Sequence, residues 1–333
     1  MLTHSNSRHF IFAVCTSIMI CVAAPARAAA PLMAPINGAK NVSSKFDIRS
    51  KPAVVAINRA ALAALRTNDE VQFTMPDGTQ YSVLFDRIED HGGGIRSTVG
   101  YLKQYGKDFR VIITTGPDGT FGSILTPAAN YRIVPGTDGQ DLLVNMTEEN
   151  KLVPFINLGD DSRRVPDEPA SGKPAGLSSI NARAGDTETS ISLVTPTPQA
   201  TVDLMVVYST GFAARLGSGL MTRLYNLVTA ANTAYADSEV AITLRLVNAT
   251  MVNYIDTDDD GDALDAITPV SGGGTGVFAN IESIRNANGA DMVSFMRTGS
   301  DFGGHGVAWL TTSATPQAVR MYSVVTGCVV GCD

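Results

Sequence analysis

The sequence predicts an α+β chain: a small, mostly antiparallel β domain, then an α/β domain with a mixed sheet and helices. Three observations predict it. Short alternating apolar runs, separated by Gly and Asp turns, fill much of the first half. A stretch poor in large apolar residues, from about 158 to 200, interrupts that pattern. Beyond it, apolar runs of buried-strand length alternate with segments of helical period. The 333 residues suit one large domain or two ordinary ones, and a hydrophobic content of 44% supplies real cores.

The N-terminus reads as a secretory signal over residues 1–28. Arg8 and His9 give a weakly basic start, Phe10 to Ala24 is an apolar stretch of h-region length, and Ala26-Arg27-Ala28 fits cleavage after Ala28. Ile20 stands where a lipoprotein before Cys21 would need a small residue. Beyond this leader no run is long and apolar enough to span a bilayer. Cys15 and Cys21 leave with it, so the mature chain keeps Cys328 and Cys332. In an oxidising compartment two thiols are expected to pair. A pair four residues apart makes a tight loop, so partners beyond Asp333 and a thiolate metal site stay open.

Residues 29–157 make the β domain. Ala29 to Ser50, rich in Ala, Pro, Asn and Ser, is expected to be loose, and Ala53 to Leu65 has a helical spacing in Val54, Ile57, Ala61 and Leu65. Glu70–Met75 and Gln80–Phe85 flank a Pro-Asp-Gly turn. Phe109–Thr115 and Thr120–Leu125 flank Gly-Pro-Asp-Gly, and Tyr131–Val134 and Asp141–Val144 flank a third such turn. Residues 158–200 read as a linker or processing region, with Arg163-Arg164 either a cleavage site or a solvated charge pair.

In residues 201–333, Val202 to Tyr208 is a buried strand, and Leu220, Leu224, Leu227, Val228, Ala231 and Tyr235 place one long amphipathic helix over Leu220 to Asp237. Ala241–Val247, Met251–Tyr254, Ala290–Met296, Val307–Leu310 and Tyr322–Thr326 read as strands. Leu264–Ile267 and Ile281–Asn288 read as helices.

Charge excludes one function class. A net charge of −7 gives no clustered Lys and Arg for a nucleic-acid backbone. Asp256-Thr257-Asp258-Asp259-Asp260-Gly261 opens like a calcium loop, with carboxylates for a hard cation. The twelfth position, Ile267, cannot close that shell, so a weak calcium site and an acidic loop capping a helix both remain open. His91 and His305 are the mature chain's histidines, each in a Gly-rich setting. There is no H-E-x-x-H, no G-x-S-x-G and no P-loop in residues 1–333.

The run VDLMVVYSTGFAARLG, the long helix ending NTAYADSEV, then ITLRLVNATMVNY, IESIRNANGADMVSFM and GGHGVAWL together resemble the start of a metzincin catalytic domain. The nearest group is the reprolysin-like, peptidyl-Asp metallopeptidase-like enzymes. The likeness covers about Thr201 to Asp333, and DGTFGSILTP and YRIVPG resemble segments of the propeptides such enzymes carry. It implies an incomplete upper subdomain, with peptide-bond hydrolysis by a zinc-activated water as the family activity. It also implies that the strand Tyr322–Thr326 leads toward a helix bearing H-E-x-x-H-x-x-G-x-x-H, so that Asp333 falls just short of the zinc ligands. The expectation is therefore a precursor fragment, inactive as given, that does not bind the family's zinc and has no assignable catalytic or metal residue. Val307, Ala308, Trp309 and Leu310 match the rim that receives a peptide or protein substrate in extended form; a plain edge strand with a core Trp is the alternative. A cysteine switch is excluded, because the mature propeptide-like part has no Cys. A secreted, non-enzymatic binding protein that keeps the same sheet edge is the alternative function.

Overall fold

The computed structural model describes residues 31–38, 44–46, 48–152, 162–164, 199–299, 305–310 and 318–327. The stretch 1–28 read as a signal, and the cysteines, lie outside the described residues.

The first half closes into a barrel. Its elements are β1 (Met33–Pro35), β2 (Ala53–Ile57), α1 (Arg59–Ala64), β3 (Glu70–Thr74), β4 (Gln80–Gly92), β5 (Ile95–Leu102), β6 (Gly106–Gly116), β7 (Gly119–Leu125), β8 (Asn130–Pro135), β9 (Asp141–Asn145) and α2 (Met146–Leu152). The order around the barrel is β1-β2-β9-β8-β7-β6-β5-β4-β3, and a parallel contact of Met33 with Phe73 closes it. Alternate residues point inward, as the period-2 pattern requires. Phe73, Phe85, Leu102, Ile113, Ile124 and Leu143 fill the interior as a packed core. The Gly-rich run after His91 is the β4–β5 turn, where Gly92, Gly93 and Gly94 have φ of +77°, +58° and +76°.

Two expectations fail here for one reason. The loose N-terminal stretch contains β1, and the helical reading of 53–65 splits into β2 and α1. β1 and β2 are the strands that close the barrel, a tertiary demand that local pattern does not carry. Val54 and Val55, β-branched, pair with β9, and the helix begins only after Asn58, whose side chain accepts from Ala61 N at 3.0 Å.

The second half comprises β10 (Ser162–Arg164), β11 (Ala200–Ser209), α3 (Thr210–Leu216), α4 (Leu220–Asp237), β12 (Ile242–Val252), α5 (Asp260–Ile267), α6 (Ile281–Ala287), β13 (Met292–Arg297), β14 (His305–Leu310) and β15 (Tyr322–Thr326). The mixed sheet runs β10-β14-β15-β13-β11-β12, parallel except for the β14–β15 pair. The α4 limits are those the periodicity gives, whereas the two strand readings over 241–254 merge into β12. One sheet face packs Val206 and Met296 on Phe212, Leu220 and Leu224 of α3 and α4. The other packs Met205, Val293 and Phe295 on Leu264, Phe278 and Ile281. Residues 31–333 cluster as one unit, in which α4 lies between β12 and the barrel strands β5–β7.

Candidate functional site

The four residues expected at a substrate rim lie together on β14. Antiparallel pairing with β15 sets Val307 opposite Val324 and Ala308 opposite Ser323. Alternation then divides their roles. Trp309 is buried, its indole N–H donating to Thr268 Oγ1 at 2.8 Å and the Arg320 guanidinium 5.2 Å from its ring centre. Thr268 is held in turn by donating to Leu264 O at 2.6 Å. Val307 packs half-buried in the same cluster. Ala308 and Leu310 are exposed, Leu310 by 43%. Trp309 therefore anchors the strand and can offer an extended ligand only its backbone.

The far edge of β14 is occupied. Ser162, Arg163 and Arg164 pair in parallel with Ala308, Trp309 and Leu310. Sequence reasoning placed these residues in the linker and missed the strand, because three residues in a polar stretch show no period. The dipeptide Arg163-Arg164 is thus neither a bare loop nor a free chain end. Its backbone augments the edge expected to receive substrate.

The acidic loop folds around a cation from the protein itself. Arg297, at the end of β13, is 1% exposed. Its Nη2 donates to Asp258 O at 2.5 Å and Asp258 Oδ1 at 3.2 Å, and its Nη1 donates to Asp259 O at 3.1 Å. Asp256 and Asp260 lie within 3.9 and 3.7 Å of the same guanidinium. Asp256 Oδ2 also accepts from Ser209 Oγ at 2.6 Å and Thr298 N at 3.1 Å. Asp259 caps α5, accepting from Asp262 N at 2.8 Å. Burial, and then the Asp258 carboxylate hydrogen-bonded to it, push the Tyr254 hydroxyl well above the usual phenol range. The acids of 256–260 therefore gather around a forked guanidinium, and Ile267 is core.

His91 and His305 differ in their settings. His91 sits on the barrel face, its Nε2 2.8 Å from Ser97 Oγ and its ring stacked 4.3 Å from that of Tyr225. Burial lowers its pKa, against an opposing pull from Glu89 and Asp90. His305 pairs through its backbone with Thr326. Among the described residues no three His, Cys, Asp or Glu side chains could hold a metal ion, so these residues do not fit a zinc site. No described helix is long and apolar enough to cross a membrane.

A chain whose second half is a mixed five-stranded sheet with an antiparallel rim, extended by a strand of its own, invites comparison with peptidases. Residues 197–327 match the reprolysin-like model of metallopeptidase family M12B, and residues 37–150 match a BamI lipocalin-like domain. A peptidyl-Asp metalloendopeptidase from Xanthomonas campestris pv. campestris is 23% identical over 225 residues, which is 65% of this chain and 47% of that protein. The chain thus spans about half the length of this curated relative. Metalloproteinase-II from Bacteroides fragilis is 11% identical, with 81% of this chain and 79% of that one covered and a TM-score of 0.47. A chain from a chaperone–substrate complex is 24% identical, with 28% and 83% covered and a TM-score of 0.26. Residues 197–327 are thus similar to reprolysin-like metallopeptidases, as the sequence resemblance implied, and residues 37–150 are similar to a lipocalin-like domain.

Proposed function

We propose that residues 1–333 are the export signal (1–28), propeptide (29–157), processing region (158–200) and upper catalytic subdomain (201–333) of a secreted zinc-dependent metalloendopeptidase. The observation that carries this is the family match together with the state of β14. The strand expected to receive a peptide substrate through Val307–Leu310 has its edge taken by Ser162–Arg164. That is the arrangement of a latent precursor, in which a segment joined to the propeptide stands where substrate would pair. The family's zinc supplies an activated water. The described residues do not fit that ion.

On this reading, residues 1–333 by themselves are expected to be inactive. Elemental analysis of the purified, dialysed protein should find no stoichiometric zinc, and casein digestion should be absent with or without chelator. About one zinc per chain with chelator-sensitive cleavage would overturn this and direct attention to His305. Reading the DNA past codon 333 in all frames tests the family assignment separately: an H-E-x-x-H there supports the protease, and its absence favours a binding protein.

A further inference from the structure

Where the β6–β7 and β8–β9 turns of the barrel meet α3, the surface folds into a cavity of about 410 Å³. Its lining carries three cations from three segments: Lys45 between β1 and β2, Arg59 at the start of α1, and Arg215 in the last turn of α3. Asp118, exposed to solvent, is the one acid among the lining residues. In a chain of net charge −7 this is a local reversal of sign. Arg59 has a counter-charge, its Nη2 donating to Asp141 Oδ1 at 2.8 Å and to Thr120 Oγ1 at 3.1 Å. Lys45 and Arg215 have no hydrogen bond or ion pair among the described residues. The Lys45 ammonium stands 3.6 Å from the Cβ position of Gly217, so it reaches the end of the helix that carries Arg215. The cavity is pre-formed. A Cβ at Gly119 would lie 3.2 Å from Pro135, and one at Gly219 3.3 Å from Phe121, so the floor closes tightly on glycine backbone. Behind it, Phe46, Phe121, Phe212 and Leu216 belong to one buried apolar cluster shared by the barrel and the second half. That packing fixes the spacing of the segments bearing the cations, which cannot drift apart to relieve their repulsion.

We propose that this cavity binds a phosphate dianion, free or as the head of a small monoester, gripped by Lys45, Arg59 and Arg215 and bridging the barrel to α3. Charge supports it first. Arg59 is balanced by Asp141, whereas Lys45 and Arg215 are left as two uncompensated positive charges, which a dianion matches. Geometry supports it next. Donors arriving from three segments suit a tetrahedral oxyanion, whose oxygens diverge; a planar carboxylate presents two oxygens in one plane. The volume lies within the range of small-molecule sites and leaves room beyond one phosphate group, where Pro117 and Pro135 add apolar wall for an organic remainder. Because the backbone around the cavity is already ordered by the shared core, little ordering cost falls on binding. The contacts come from both halves of the chain and are lost on unfolding, so the ligand stabilises the folded protein by mass action.

The test is calorimetric titration of the full chain with inorganic phosphate, in buffer free of phosphate and sulfate. Phosphate should saturate one site with a Kd of about 1 mM or tighter. It should also raise the urea midpoint, and sodium chloride of equal ionic strength should not. Lys45→Gln and Arg215→Gln should each weaken phosphate binding at least tenfold. In phosphate-free buffer neither should lower the urea midpoint, because each removes an uncompensated like charge. Lys151→Gln, which breaks the exposed pair with Glu148 on α2, should leave binding unchanged. Succinate, a dianion of two carboxylates, should bind at least tenfold more weakly than phosphate. Glycerol 3-phosphate reads the source: binding tighter than inorganic phosphate identifies a monoester, and equal or weaker binding identifies the free ion. No saturable binding, an equal effect of chloride, succinate as tight as phosphate, or indifference to both Gln variants would each overturn the proposal. So would variants that lower the midpoint equally with and without phosphate, since Lys45 and Arg215 would then serve only the C-terminal end of α3. None of these readouts involves proteolysis, so failure here is separate from failure of the protease reading.

Discussion

Asp141 sits in the barrel wall with 5% of its side chain exposed, beside an Arg59 that is 47% exposed. Burial outweighs that half-solvated partner and pushes the carboxyl up to about 6, although Arg59 and Thr120 pull the other way. The sign follows from linkage. Between about pH 4 and pH 6 the folded chain keeps a proton that the unfolded chain has lost, so stability falls as pH rises through that window and then levels. That elevation corresponds to about 3 kcal/mol. Asp141→Asn should therefore remove that much of the slope in urea midpoints measured from pH 4 to 7; an unchanged slope would refute the assignment. Residue-scale detail of this kind was mostly hidden in the sequence. The acids at 256–260 were visible as a group, yet Arg297, which organises them, lies just past the apolar strand read over Ala290–Met296 and carries no signal of its own. Nothing in the spacing of Asp residues says whether their cation is a metal or a guanidinium from another element.

Elements were legible where one physical signal dominated. Helix α4 follows from its period, and β11, β13 and β15 from apolarity and length. The β2–α1 stretch misled because apolar spacing fitted a helix while barrel closure required a strand. β10 was illegible for a different reason: its pairing depends on an edge made by β14, more than a hundred residues away in sequence. The strand reading at 307–310 falls within β14, but the pairing of Ser162–Arg164 with its edge was not legible. This pairing is testable at its own scale. Proline lacks an amide hydrogen and disfavours strand pairing, so Arg163→Pro should detach β10. Amide exchange in residues 307–310 should then rise at least tenfold, while β13 stays protected. Unchanged protection in β14 would mean that β10 does not cover it.

At the scale of the whole molecule, the two-part organisation was readable and the contact between the parts was not. A helix face of Thr, Asn and Asp looks solvated to any pattern, and only the fold shows it covered by a barrel. The barrel's connectivity carries a further consequence, which concerns time. From β3 to β9 every strand pairs with the next along the chain, so those pairings are short-range. The sheet beyond it joins β11 to β13 and β13 to β15 across long intervening segments. Chains close local contacts sooner than distant ones, and the N-terminal part leaves the ribosome first. The barrel should thus be finished while the sheet is still assembling, presenting α4 with a ready-made template. The chain carries its own clock for this. Trp309, the single tryptophan, is buried in the later half, so its fluorescence reports that half alone. During refolding, its burial should trail the far-ultraviolet strand signal of the barrel. Gly122→Val, which crowds a barrel crossing where a Cβ would lie 2.5 Å from Ile112 O, should delay both signals together. Trp309 burial that runs ahead of the barrel, or ignores that substitution, would show that the second half needs no template.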